Sequence, residues 1–138
     1  MKAEDPARVA EVREWLGKVA TDFRAAKLEL DASPPIIEDA VFHAQQAAEK
    51  SLKAFLAWHD LPFRKTHDIE ELGLAAARID AGLEPFVAAA VPLSDFAWAF
   101  RYPGSPEPPS LDEARVIVSH ARELFDAIAS RLPASVRQ

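Results

Sequence analysis

Apolar residues recur at alternating steps of three and four along Val9, Val12, Leu16, Val19, Phe23, Ala26 and Leu30, which is one continuous stripe on a helix. Asp5-Pro6 opens that helix, since Asp is a good N-cap and Pro suits the first helical position. Ser33-Pro34-Pro35 breaks it. The pattern then predicts a second helix from about Pro35 to Asp60, with Val41, Ala44, Ala48, Leu52 and Phe55 inward and Leu61-Pro62 as its end. A third, shorter helix is expected from Thr66 or Asp68, with Ile69, Leu72, Ala76 and Ile79 on its apolar face and Gly82 ending it. A fourth is expected from Glu84-Pro85, carrying Phe86, Ala90, Leu93, Ala97 and Phe100, with Pro92 placed to kink or divide it. Ser110-Leu111-Asp112-Glu113 reads as a capping box. It opens a last helix with the stripe Leu111, Ala114, Val118, Ala121, Phe125, Ile128 and Leu132; Pro133 closes it, and the tail to Gln138 is expected to fray.

No segment alternates apolar and polar residues between turns as a strand would. The fold class expected is therefore all-α: an up-down helical bundle of four main helices plus one short helix, as a single domain over residues 1–138. The stripes are wide for so small a bundle, which points to a homodimer or a higher even-numbered oligomer.

Composition narrows the classes of function. The formal net charge is −6, which disfavours coating duplex DNA, because phosphate neutralisation supplies much of that affinity. A small local basic site remains compatible with it. The chain has no cysteine, so disulfides, thiolate chemistry and Cys-type zinc sites are excluded together. The N-terminus has no apolar signal region, and no apolar run reaches the roughly 20 residues that span a bilayer. A soluble, cytoplasmic protein away from membranes is the expectation.

The second helix reads Phe42-His43-Ala44-Gln45-Gln46-Ala47-Ala48-Glu49-Lys50-Ser51-Leu52-Lys53-Ala54-Phe55-Leu56. A loop follows to Thr66-His67, and Phe100-Arg101-Tyr102-Pro103 precedes the last helix. In this content and order the chain resembles the HEPN family, small helical proteins associated with nucleotides and RNA. The resemblance covers most of the chain.

Without the resemblance, helical periodicity puts His43, Gln46, Lys50 and Lys53 opposite the apolar arc, as a solvated or binding stripe. Gln45 and Glu49 fall at the edge of that arc and need partners, for which Thr66, His67 and Arg101 are the candidates. Gln45, Glu49, Thr66 and His67 are thus read as a polar network that locks loops onto the bundle. The four histidines show no zinc spacing, and no metal or cofactor is expected. His59 falls in the apolar arc near the helix end, where packing is the expectation.

The resemblance also implies chemistry. Many HEPN proteins are metal-independent ribonucleases in which an Arg is followed, after four to six residues, by a His. Here Arg101 has no His within six residues downstream. Arg115 and His120 have a fitting spacing but lie within one helix, where five residues turn the chain by about 140°; His120 is expected to face solvent. His67, just after Arg64-Lys65-Thr66, is a further candidate beside Arg101. Lys50, Lys53, Arg64, Lys65 and Arg101 are the cations expected to gather at a phosphate or nucleotide. Two readings follow. One is a nucleotide- or RNA-associated interaction module beside a separate minimal nucleotidyltransferase, in a toxin–antitoxin-like or two-gene arrangement. The alternative is a ribonuclease using Arg101 with His67, or Arg115 with His120.

Overall fold

The computed structural model describes residues 4–100 and 102–137. These form six α-helices and two short 3-10 stretches, with no strand among the described residues. No helix among them is long and apolar enough to cross a membrane.

Helix α1 (Pro6–Asp31) starts where the sequence places it, with the Asp5 carboxylate accepting from the Ala7 N–H at 3.0 Å. Its inner side buries Val12, Val19, Phe23, Ala26 and Leu30, together with one acid, Asp22. Helix α2 (Ile37–Trp58) runs antiparallel to it. Three cross-links fix the register: Arg8 Nη1 donates to the Trp58 carbonyl at 2.9 Å, Lys50 reaches Asp22 at 2.8 Å, and His43 reaches Glu29 at 2.7 Å.

Helix α2 is the hub of the bundle. Its alanines at 40, 44, 47, 48, 54 and 57 are buried all round, and so are Leu52, Phe55 and Leu56. Small residues let neighbouring helices approach, while each large apolar side chain contributes about 1.5–3 kcal/mol on burial. The expected solvated stripe on this helix is corrected by its central position. Lys53 is buried and Lys50 half-buried, each with an acid partner.

Helix α3 (Ile69–Ile79) is capped by Asp68, which accepts from Glu70 and Glu71. Its first amide, Ile69 N–H, donates to Ser94 Oγ at 2.9 Å. Gly73 lets α3 meet Val87 of α4 (Glu84–Ala90); a Cβ there would run into a Val87 methyl. Pro92 divides the fourth helical pattern, and Val91–Ala97 continues as a 3-10 stretch. Helix α5 (Leu111–Ala129) opens on the capping box, with both reciprocal bonds at 3.1 Å.

The tail departs from expectation. Rather than fraying, it forms α6 (Ala134–Arg137), because Val136 finds an apolar seat and is 1% exposed. Arg13 of α1 donates to the Ser135 carbonyl at 2.8 Å and pins the same turn.

Candidate functional site

The sequence places a carboxylate, Glu49, in the middle of the most buried helix, where an unpaired charge would be costly. The structure surrounds it with donors. Glu49 Oε1 accepts from Gln45 Nε2 at 3.1 Å and lies 2.6 Å from His67 Nδ1. Glu49 Oε2 accepts from Lys53 Nζ at 2.9 Å. Gln45 Nε2 also reaches the His67 carbonyl at 3.4 Å, and Gln46 Nε2 donates to Gln45 Oε1 at 2.6 Å. Gln45, Glu49 and Lys53 are one helical turn apart in succession, so one face of α2 carries the whole set and the loop delivers His67 to it.

Thr66 stands outside this network. Its hydroxyl accepts from the Asp68 N–H at 3.0 Å, which shapes the approach to α3 instead.

The network borders a groove of about 910 Å³ between α1 and the loop joining α2 to α3. Trp15 and Phe63 form an aromatic corner there, edge to face with centroids 6.2 Å apart. The Lys53 ammonium lies over both rings, 5.7 Å from Trp15 and 5.8 Å from Phe63. Glu49 and the two π faces thus neutralise a cation that is otherwise withdrawn from water. Glu11, Asp60, Lys65, Thr66 and His67 also line the groove. Among the described residues, the Glu11, Asp60 and Lys65 side chains make no hydrogen bond or ion pair. His67 is bound through Nδ1, and its side chain is 56% exposed.

The cations expected at a phosphate therefore divide. Lys65 lines the groove and makes no hydrogen bond or ion pair among the described residues. Lys53 sits at its inner wall but is bound to Glu49. Lys50 is taken by Asp22, on the side of α2 that faces α1. Arg64 is turned to Glu71 through two bonds of 2.8 and 2.9 Å, and this pairing raises its pKa. Arg101 lies outside the described residues.

The remaining histidines are placed elsewhere. His43 is bound to Glu29, whose carboxyl is pushed above its ordinary value by burial while His43 pulls it the other way. His59 is exposed at the C-cap of α2 with its ring against Phe55, 4.6 Å between centroids, rather than packed inside. Partial loss of water around the ring where it leans on Phe55 lowers its pKa, and the nearby Arg8 adds to this. His120 is half-buried rather than solvent-facing, and its Nδ1 is enclosed without a hydrogen-bond partner among the described residues. Arg115 is exposed and leans on Asp112 at 3.5 Å, one turn back along α5.

Sequence reasoning missed Glu11, Trp15, Asp60 and Phe63. A signal was available for two of them. Glu11 and Trp15 are four residues apart on α1, one turn from each other beside the apolar stripe.

The model of the HEPN domain matches residues 12–132, which include α2, the loop with His67 and all of α5. The chain belongs to the HEPN family. No curated protein and no solved structure matches it. In this HEPN domain, family membership carries the helical module and its association with nucleotides and RNA. The individual roles of the groove residues rest on their chemistry.

Proposed function

We propose that this HEPN chain is a nucleotide- and RNA-associated interaction module, cytoplasmic and homodimeric, that works beside a separate minimal nucleotidyltransferase and does not itself cut RNA. The observation that carries the reading is the contrast around α2. The histidines at 43 and 67 are each held by a buried or half-buried glutamate, whereas the groove beside Glu49 keeps an aromatic corner and charges with no partner among the described residues. Such a lining suits recognition: apolar walls supply contact area and a few polar groups orient the ligand. Histidine-dependent cleavage needs a His and an Arg at one phosphate. Arg115 and His120 are about 140° apart around α5, which argues against that pair within one chain.

The test is to incubate the purified chain with single-stranded RNA in chelator and to measure retention and cleavage together. Retention without cleavage is expected. Cleavage lost in His67→Ala or His120→Ala, with the fold retained, overturns the reading. Recovery of the tagged chain from its own cells should bring down a nucleotidyltransferase.

A further inference from the structure

We propose that the groove between α1 and the α2–α3 loop is selective for guanine nucleotides, with Glu11 reading the base edge, Trp15 stacking the base, and Lys65 and His67 holding the phosphate. The proposal rests on the nucleotide-associated reading above and names the ligand that reading leaves open.

The argument begins with the rigid part of the groove. The Trp15 ring is fixed from two sides, by the Phe63 edge at 6.2 Å and by the Lys53 ammonium at 5.7 Å. Lys53 is itself fixed by Glu49 at 2.9 Å. Trp15 is half-buried and lines the groove, and the part of the indole that Lys53 and Phe63 do not cover is the surface on which a base would stack. Glu11 lies one turn before Trp15 on the same side of α1, so its carboxylate is within reach of the edge of a base laid on that ring. Glu11 is exposed and has no partner among the described residues, so pairing with a base breaks no existing contact.

An ionised carboxylate only accepts hydrogen bonds. It therefore favours an edge with two adjacent donors. Guanine presents N1–H beside its 2-amino group and can make two parallel bonds. Adenine and cytosine each set an amino donor beside a ring-nitrogen acceptor. Uracil sets one N–H between two carbonyls. Only guanine matches the carboxylate at both oxygens.

The other end of the groove supplies the counter-charge. Lys65 is exposed and makes no hydrogen bond or ion pair among the described residues. His67 donates from Nδ1 to Glu49, so its Nε2 can donate to an anion only in the imidazolium form, where both ring nitrogens carry hydrogen. The groove, at about 910 Å³, is large enough for a mononucleotide. The overall charge of −6 works against phosphate, so specificity in this site comes from the base.

The experiment is calorimetric titration of the full chain with GMP, IMP, AMP, CMP and UMP. GMP is expected to bind at least about tenfold more tightly than UMP, the usual discrimination of a bidentate contact. IMP lacks the 2-amino group and should fall between them. Glu11→Gln should remove most of the GMP preference over UMP, because the amide offers one donor and one acceptor in place of two acceptors, whereas Lys65→Ala should weaken all the nucleotides alike. Equal affinity for GMP and UMP overturns guanine selectivity but leaves the nucleotide-associated reading standing. Absence of binding by every nucleotide at millimolar concentration overturns both. Retention of the GMP preference in Glu11→Gln, or its loss in Asp60→Asn instead, overturns the assignment to Glu11. The IMP comparison needs no variant: IMP binding as tightly as GMP overturns readout of the 2-amino group even if a substitution harms folding.

Discussion

His67 Nδ1 lies 2.6 Å from Glu49 Oε1, although the two residues are separated by the C-terminal half of α2 and the loop after it. The bond ties that loop back onto the helix it has just left. It also orients the imidazole, since a histidine held at Nδ1 presents Nε2 outward.

Glu49→Ala should be the most damaging single change at this hub. It leaves the buried Lys53 ammonium without its carboxylate and frees the loop. Removing one partner of a buried pair costs about 3–5 kcal/mol. A drop of that size in urea-denaturation stability is expected. A change near zero would mean that Lys53 escapes to water at little cost.

Gly73→Ala should destabilise by about 1–3 kcal/mol, because the added methyl collides with Val87 where α3 and α4 touch. The double variant Gly73→Ala/Val87→Ala should recover part of the loss. Thermal melts of the two proteins make the comparison.

Glu29 sets a pH dependence. Burial raises its carboxyl above the ordinary 4.5, with smaller opposing contributions from His43 and a further push from Asp39. Between the ordinary and the raised value the native state binds more proton than the unfolded state. Stability from this group is thus greatest below the ordinary value and falls as pH rises through the raised one. Glu29→Gln should flatten that part of the stability–pH curve, measured as urea midpoints from about pH 4 to about pH 6.

Charge reversal should separate a site from diffuse attraction. Lys65→Glu is expected to weaken nucleotide or RNA binding several-fold. Arg131→Glu should leave it unchanged, because Arg131 is engaged with Asp80 at 2.8 Å and does not line the groove. Filter binding at two salt concentrations reads both. Equal losses would mean that the anion senses only net charge.

Much of the fold was legible because it depends on local rules. The Asp5 cap, the Ser110–Glu113 box and the break at Pro92 are each written in adjacent residues. The environment of α2 was not. Its alanines read as one face of a helix, yet with neighbours on several sides they became interior all round, and Lys50 and Lys53 went inside with them. Periodicity counts apolar residues and does not count neighbouring helices. Asp22 carried the matching hint, an acid within the α1 stripe that needed a cation. At the site, Glu49 was conspicuous as a charge on a buried helix, and His67 was among its candidate partners. Trp15 and Phe63 were hidden because their pairing joins elements far apart in sequence.

The bond from Ile69 N–H to Ser94 Oγ carries a kinetic consequence. The 3-10 stretch Val91–Ala97 has poorer hydrogen-bond geometry than an α-helix and should open more often than the helices around it. Each opening withdraws the acceptor from the first amide of α3, two residues beyond His67. Deuterium uptake at Ile69 should therefore keep pace with uptake at 91–97 and run ahead of the interior of α2. Ser94→Ala should speed exchange at Ile69 selectively. The end of the α2–α3 loop and the 91–97 stretch would then breathe on one clock.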